Sequence, residues 1–172
     1  MSSVQIVRPD DPDRASAVLG LMRQVWEMED PATDADTIKR WQLSNTHHFV
    51  ICEADEPLAH AGLFVREIFT TRGSLFIGAL GGVCVHPRYR GRGWGRDVAC
   101  AAFDFLPQLC VSVSLFQTPV PDFYSRLGAR LVTNRFYNGS DVNDPFLESD
   151  KMIFPATFDW PEGDIDLGGP GY

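Results

Sequence analysis

Features that would place a chain in a specialised class are scarce in this sequence. Its 172 residues contain no run near the roughly 18 consecutive apolar residues that a membrane-spanning helix needs. The first residues, MSSVQIVRPDD, lack the basic segment followed by an apolar one that a secretory leader has. With 44% hydrophobic and 22% charged residues, the composition excludes a disordered or coiled-coil chain. We expect one globular domain, residues 1–172, in the cytoplasm.

Cysteine is also rare. The 4 cysteines form no CxxC pair and have no histidine at zinc-ligand spacing, so neither a metal site nor a disulfide framework is predicted. Each of them lies in an apolar run, which favours buried reduced thiols: Cys52, Cys84, Cys100 and Cys110.

Basic residues are outnumbered, with 15 Lys and Arg against 23 Asp and Glu and a net charge of −8. Nucleic-acid and anionic-membrane binders need a positive field, so we expect neither partner and favour a cationic one. The acidic residues concentrate in two stretches, 27–36 and 141–166. Four arginines nonetheless form one dense basic cluster, which predicts an anion-binding site: Arg88, Arg90, Arg92 and Arg96.

The hydrophobic pattern predicts a mixed α/β sheet covered by helices. A strand over 4–8 precedes a helix that begins at Pro12, behind capping aspartates, and a shorter helix after Thr33. Three strands follow within 48–87, then a helix from Trp94, a strand over 110–116, a short helix over 119–127, and strands over 129–133 and 151–154. Glycines 78, 81 and 82 indicate a bulge or the close approach of a ligand. The tail, 156–172, is expected to be extended and, after Pro161, loosely held.

The loop before the predicted helix at Trp94 reads RYRGRGWGR, residues 88–96. Its glycines let successive N–H groups turn into one concavity, and the helix N-terminus and the arginines add positive charge, so it predicts a pyrophosphate site. A dinucleotide-binding GxGxxG would follow its strand at once, and an NTPase phosphate loop needs Gly-Lys-Ser/Thr; neither pattern is present. An RGG-type RNA-binding segment would be repeated. A glycine-rich turn with solvated arginines is the structural alternative.

Two motifs resemble the GCN5-related N-acetyltransferase (GNAT) superfamily. Residues 85–95 are similar to its acyl-CoA loop, Arg/Gln-x-x-Gly-x-Gly/Ala, with Arg90, Gly93 and Gly95 at the defined positions. Residues 123–129, FYSRLGA, are similar to its Phe-Tyr-x-x-x-Gly-Phe signature. With the element order, the resemblance covers about residues 4–155. It implies the GNAT fold, with acyl-CoA held where the fourth and fifth strands splay apart.

The resemblance also implies the chemistry. An amine would attack the acetyl-CoA thioester directly, with loop amides on the pyrophosphate and backbone groups of Val83–Val85 on the pantetheine. Tyr124 would be the general acid, because a tyrosine phenol is protonated at neutral pH and can donate its proton to the leaving thiolate. The structural alternative for Tyr124 is a core tyrosine that anchors its short helix. The cofactor-binding residues implied are Val83, Cys84, Val85, Arg90, Gly91, Arg92, Gly93, Trp94, Gly95, Arg96 and Gln117.

Two aspects of this assignment differ from the family pattern or stay open. Gln117 stands where the family often has Asn. No general base is evident, and the candidates to deprotonate the incoming ammonium are His60, Glu67, Glu53 and His86, with a water chain as the family's frequent substitute.

Two further stretches resemble a narrower branch, the aminoglycoside 2'-N-acetyltransferases and the nodulation N-acyltransferases. These are LAHAGLFVR, residues 58–66, and FDWPEGDI, residues 158–165. The resemblance implies a cationic amino-sugar acceptor, with Asp159, Trp160 and Asp164 on the acceptor side. One departure is Gly81, which stands where the aminoglycoside enzymes carry Glu.

Other activities remain compatible with these residues. The acceptor would otherwise be a small amine or a peptide, or the donor a longer acyl chain. The alternative that is not an enzyme is a non-catalytic acyl-CoA-binding module. Dimers are common in the superfamily, so a homodimer is a further expectation.

Overall fold

The computed structural model describes residues 3–8, 10–26, 34–139, 150–169 and 171. The predicted acidic stretches fall partly outside these ranges, at 27–33 and 141–149. Within the described ranges the chain forms nine β-strands and four α-helices. In chain order they are β1 (Gln5–Val7), α1 (Pro12–Trp26), α2 (Asp34–Leu43), β2 (His47–Glu53), β3 (Glu56–Thr70), β4 (Gly73–Val85), α3 (Trp94–Asp104), β5 (Ser114–Gln117), α4 (Pro121–Ser125), β6 (Arg130–Val132), β7 (Phe136–Tyr137), β8 (Lys151–Phe154) and β9 (Ile165–Asp166).

The chain divides into two compact units. The first unit comprises Met1–Phe64 and Gly82–Asp104, and the second comprises Val65–Gly81 and Phe105–Tyr172. Strands β3 and β4 each contribute residues to both units. A single domain over 1–172 therefore stays a prediction.

The first unit is built on antiparallel pairing of β1, β2 and β3, with Ile6 opposite Phe49 and Phe49 opposite Ala61. Helix α1 begins at Pro12 as predicted, and the Asp11 carboxylate caps it by accepting the Arg14 N–H at 3.1 Å. The buried residues of α1 recur at helical spacing and pack with neighbouring strands into one core: Val7, Val18, Leu19, Leu21, Met22, Val50 and Cys84.

Helix α3 buries one face in the same unit, through Val98, Ala99, Ala102 and Phe103. It ends at Asp104, and a separate 3-10 turn follows over Leu106–Leu109, where the sequence predicted one continuous helix. Pro107 explains the break, because proline lacks an N–H and disfavours helical backbone in the residue before it.

The second unit contains the parallel pairing that makes the sheet mixed, as the sequence predicted. Strand β4 pairs in parallel with β5 at Gly78–Ser114 and Ala79–Leu115, and β8 pairs antiparallel with both β5 and β6. The strand order is β1-β2-β3-β4-β5-β8-β6. No helix in the described part of the chain is long and apolar enough to cross a membrane.

The C-terminal segment is packed rather than loosely held, so that part of the prediction is wrong. Strand β9 pairs antiparallel with β3 at Phe69–Asp166 and in parallel with β7. Ile165 of β9 and Leu167, the residue that follows the strand, are both fully buried. A strand of two residues is too short to produce a recognisable hydrophobic pattern in the sequence. The glycines around it also favour a loop prediction.

Candidate active site

The loop between β4 and α3 is shaped by the residues at its start. The His86 N–H donates to the Leu58 carbonyl at 2.8 Å, and the His86 ring nitrogen Nδ1 accepts the Arg88 N–H at 3.2 Å. Pro87 then opens a 3-10 turn over Pro87–Tyr89, which its constrained φ favours. His86, one of the candidate bases, therefore has a structural role as the cap of this turn.

An aromatic and cationic stack secures the loop. The rings of Tyr89 and Trp94 stack with centroids 5.4 Å apart and an angle of 16°, and the Arg92 guanidinium lies 4.8 Å from the Tyr89 centroid. The Tyr89 hydroxyl donates to Glu53 Oε2 at 3.2 Å. Glu53, another candidate base, thus tethers the loop to β2. This stack orders the loop in advance of any ligand.

Gly91 and Gly93 make the loop concave. Their φ angles are +82° and +83°, in the region that other residues adopt only with strain. A Cβ atom at either position would meet no heavy atom of the described residues within 4 Å, so the backbone there faces open space. The Gly93 carbonyl accepts the Asp97 N–H at 3.1 Å and begins α3. Flexible-backbone glycines at an open helix N-terminus fit a phosphate group.

The arginines of the loop have different local partners. Arg90 donates through Nε to the Val85 carbonyl at 3.4 Å, while Arg96 Nε lies 3.4 Å from the Asp97 carboxylate. Arg92 covers the aromatic pair. Along the chain, Arg90 precedes Gly91 and Arg96 follows Gly93, so the predicted basic residues flank the open backbone in sequence.

The last residues of β4 precede this loop directly. Val83 and Val85 are half-buried, and Cys84 lies in the core. Burial raises the pKa of the Cys84 thiol to about 12, against a smaller opposing effect of Arg90. A thiol with that pKa stays protonated, so only backbone groups of Cys84 are available to a ligand. All four cysteines are free thiols, but only Cys84 is buried as predicted. Cys52 and Cys100 are half-buried, and Cys110, which closes a turn with φ at +57°, is exposed.

A pair of buried histidines lies against the same strand. His60 Nδ1 is 2.7 Å from the Gly82 carbonyl oxygen, and His60 Nε2 is 2.9 Å from His48 Nδ1. His60 was a candidate base, but both its ring nitrogens are engaged. His48 was not predicted, although Val50 pairs with His60 and alternate residues of β2 share a face, which brings His48 diagonally within reach. Glu67, the remaining candidate, is exposed on β3.

Tyr124 lies in α4, in the second unit, and is buried. Its ring packs against Phe116 of β5 and against Phe123, with centroid distances of 4.6 and 4.8 Å. Its carbonyl accepts the N–H groups of Leu127 and Ala129, so the backbone that follows Tyr124 is held in a tight turn. The FYSRLGA signature therefore forms a short helix with a closed C-terminal turn.

Gln117 ends β5, one residue after Phe116, and pairs with Lys151 of β8. Its side-chain oxygen Oε1 is buried and accepts no hydrogen bond from the described residues. A buried acceptor without a partner is costly, and a ligand N–H group would satisfy it. The second unit thus contains both Gln117 and Tyr124, and of the two β5 residues Phe116 is the one whose ring contacts Tyr124.

The predicted acceptor-side residues line or flank a groove of about 640 Å³ in the second unit. Its lining includes Trp160, Glu162 and Asp164 together with residues 130–135, whereas Asp159 is not part of it. Asp159 pairs with Arg72 at 2.7 Å and Asp164 with Arg135 at 3.0 Å, so each carboxylate already forms an ion pair with an arginine of this protein.

Asn134, which the sequence did not single out, organises that groove. Its Oδ1 accepts the Trp160 indole N–H at 2.8 Å, and its Nδ2 donates to the carbonyls of Pro161 and Gly163 at 2.9 and 2.7 Å. Trp160 is buried, so only part of its ring is available for the predicted stacking.

The family model of the GNAT acetyltransferases matches residues 15–129, about two thirds of the chain. The chain belongs to the GNAT acetyltransferase family. The fold described above is the GNAT fold. The matched region contains both predicted motifs, the loop at residues 85–95 and the signature at residues 123–129.

Solved structures agree on this GNAT fold. A GNAT family N-acetyltransferase (YhbS) from Escherichia coli in complex with CoA is 15% identical, with 99% of this chain and 96% of that chain covered and a TM-score of 0.70. Aminoglycoside 6'-acetyltransferase type Ii is 15% identical, with coverage of 87% and 94% and a TM-score of 0.64.

A longer conserved protein from Enterococcus faecalis V583, described as a probable N-acyltransferase, is 13% identical with a TM-score of 0.64. The match covers 75% of this chain and only 33% of that one, so the chain spans about a third of its length. At these identities the likeness shows the fold alone. A comparison with curated protein sequences finds no match.

Proposed function

We propose that this GNAT protein is an acetyl-CoA-dependent N-acetyltransferase that acts on a small cationic amine, preferably an amino sugar or an aminoglycoside. The observation that carries the proposal is the loop before α3, where Gly91 and Gly93 open the backbone beside the stacked Arg92. Such a site suits a pyrophosphate, the most highly charged part of CoA next to its pantetheine arm.

Acetyl-CoA supplies an acetyl group activated as a thioester. In this proposal the amides from Gly91 to Gly95 bind its pyrophosphate, with Arg90 and Arg96 contributing charge. Backbone groups of Val83–Val85 bind the pantetheine, and one N–H in this segment stabilises negative charge that develops on the carbonyl oxygen. Gln117 offers its unsatisfied Oε1 to a pantetheine amide N–H.

Tyr124 donates a proton to the sulfur that leaves. The packing of its ring against Phe116 and Phe123 restricts the phenol to few orientations, which lowers the entropic cost of aligning a proton donor. No base is assigned among His60, Glu53 and His86, because each already holds a structural hydrogen bond. A water chain would then carry the proton from the incoming ammonium.

The acceptor preference is supported by the acidic groups beside Trp160. Asp159 and Asp164 face cationic partners that are themselves exposed, and exposed ion pairs are worth little, so an ammonium group can exchange with Arg72 or Arg135 at small cost. Glu162 adds a third carboxylate to the groove. A likeness of fold to an aminoglycoside 6'-acetyltransferase is compatible with this choice.

The test is mass spectrometry of the purified protein with acetyl-CoA and a pooled panel of amino sugars, aminoglycosides, polyamines and lysine peptides. An acceptor that gains the mass of one acetyl group, and does so slowly with Tyr124→Phe, supports the proposal. An acetylated peptide without an acetylated sugar contradicts the acceptor class. Binding of CoA without transfer to any acceptor favours a longer acyl donor or a binding-only role.

A further inference from the structure

A hydrogen-bonded chain of two histidines runs through the first unit and ends on the strand that precedes the glycine loop. His48 and His60 are each only 1% exposed. The Trp41 ring contacts the His48 ring edge-on, with a centroid distance of 4.5 Å, and so shields it from water. The mechanism proposed above uses neither imidazole, and a buried polar pair of this kind needs a reason for its place.

The hydrogen bonds determine which ring nitrogens carry protons. The Gly82 carbonyl can only accept, so His60 must donate through Nδ1. If His60 is neutral, its Nε2 is an acceptor, and His48 must then donate through its own Nδ1. His48 Nε2 is left without a proton, and it has no hydrogen-bond partner among the described residues. Both rings therefore adopt the Nδ1–H tautomer.

The surroundings of the pair favour the neutral forms. Burial, with smaller contributions from His60 and His47, lowers the pKa of His48 to about 3. Burial also lowers the pKa of His60 to about 4, against the opposing effect of its hydrogen bond to Gly82. Two neutral rings keep the direction of donation fixed from His48 to His60 to Gly82 throughout the physiological range of pH.

Gly82, whose carbonyl accepts the last hydrogen bond of the two histidines, has a backbone conformation that is rare within a strand. Gly82 has φ at +61°, and a Cβ there would come within 2.5 Å of Met22 Cε and 3.2 Å of His60 Cε1. The residue is thus closely packed as well as bent. Since the peptide unit is planar and trans, fixing the Gly82 carbonyl also fixes the Val83 N–H, which points in the opposite direction.

We propose that His48 and His60 are positioning residues for acyl-CoA: their hydrogen-bonded chain holds the Gly82–Val83 peptide so that the backbone groups of Val83–Val85 face the pantetheine. This proposal rests on the proposed acyl-CoA site at Val83–Val85. The histidines touch neither ligand nor reacting atoms, and they act through the backbone of β4.

The first experiment measures the dissociation constant of CoA by titration calorimetry for two substitutions of similar size. His60→Asn keeps an N–H donor near the position of Nδ1, whereas His60→Leu removes it. We expect His60→Leu to weaken CoA binding about tenfold and His60→Asn to restore most of the loss. Ile51→Val, in the fully buried part of β2, is the control for general loosening of the core, and its CoA affinity should match the wild type.

The outcomes separate this proposal from the proposed function. If the wild type binds CoA and folded His60→Leu binds it equally well, the positioning role is wrong while the acyl-CoA site stands. If the wild type does not bind CoA, the proposed site and the positioning role both fall. Should His60→Leu not fold, a comparison of His48→Leu with His48→Asn tests the same proposal at the other histidine of the hydrogen-bonded pair.

A second measurement needs no substitution. Long-range ¹H–¹⁵N spectra of the wild-type protein at neutral pH report which nitrogen of each imidazole carries the proton. Nδ1–H tautomers for both His48 and His60 support the chain. An Nε2–H tautomer at His60 would overturn it, because the Gly82 carbonyl would then lose its donor. A charged His60 ring would also overturn it, because its Nε2–H would donate to His48 rather than accept from it.

Discussion

At the scale of single residues, the glycines of the loop show how much a backbone angle decides. The sequence predicted that the glycines of residues 88–96 let the backbone curve around an anion. Gly91 and Gly93 do have positive φ, and the binding of an anion there stays a prediction. It did not predict that only two of the loop's three glycines have positive φ. Gly95, although it completes the acyl-CoA motif, lies in the first turn of α3.

Replacing Gly93 by alanine should weaken cofactor binding without filling any space. The φ of +83° costs a residue with a Cβ about 1–2 kcal/mol, so the loop would relax away from its concave form. We expect acetyl-CoA affinity to fall about tenfold, measured by calorimetry. Gly20→Ala in α1 is the matched control, because its Cβ also meets nothing within 4 Å and its helix favours alanine. An unaltered affinity in Gly93→Ala would mean that the loop does not bind the pyrophosphate.

Replacing Tyr124 by phenylalanine tests the proton donor. The change keeps the ring contacts with Phe116 and Phe123 and removes only the hydroxyl. Turnover should fall by about 10² or more while the acetyl-CoA dissociation constant stays near the wild-type value. Steady-state kinetics and calorimetry measure the two quantities. Tyr137→Phe in β7 makes the same chemical change elsewhere and should leave turnover unaffected. Equal turnover for the wild type and Tyr124→Phe would remove Tyr124 from the mechanism.

At the scale of elements, the C-terminal segment departs most from the sequence prediction. A stretch with Pro161, Gly163 and Gly168 reads as a loose tail, yet it carries β9 and two fully buried side chains. Its attachment depends on Asn134, which is far away in sequence and has no motif around it. Pairings of two residues with partners so distant are beyond local pattern analysis, because β-pairing is decided by packing and register.

Removal of the Asn134 side chain should detach this segment. Asn134→Ala loses three hydrogen bonds and leaves the buried Trp160 indole N–H without its acceptor. We expect the free energy of unfolding to fall by about 1–3 kcal/mol, with faster proteolytic cleavage after Phe158. Urea denaturation and limited proteolysis measure these effects. Thr133→Ala, at the exposed neighbouring residue, is the control. Identical proteolysis of Asn134→Ala and the wild type would show that β9 alone holds the segment.

At the scale of the whole molecule, the buried histidines link stability to pH. In the unfolded chain a histidine binds a proton near its ordinary pKa of 6.5, whereas the pKa values of folded His60 and His48 are about 4 and 3. Between these values the unfolded state binds more protons, so the free energy of unfolding is highest above about pH 6.5 and decreases on acidification. The slope is about 1.4 kcal/mol per pH unit for each histidine.

Urea denaturation between pH 7.5 and 4.5 measures this dependence. The double variant with His48→Asn and His60→Asn carries no ionisable group at either position, so its profile should be flatter by the contribution of both histidines. His86→Asn removes a half-buried histidine outside this pair and is the matched control. Parallel profiles for the double variant and the wild type would contradict the burial of neutral imidazoles.

Much of this protein followed from the sequence because the decisive signals are local. Helix caps, hydrophobic periodicity and the density of glycine and arginine over residues 88–96 depend on neighbouring residues, and two motifs were enough to indicate the GNAT family. What only the tertiary structure decided involves residues far apart along the chain. Strand register brings His48 to His60, and His60 to Gly82. Packing and strand pairing place β9 beside β3. Asp159 and Asp164 form ion pairs with Arg72 and Arg135. These contacts depend on geometry in three dimensions, which no spacing in the sequence encodes.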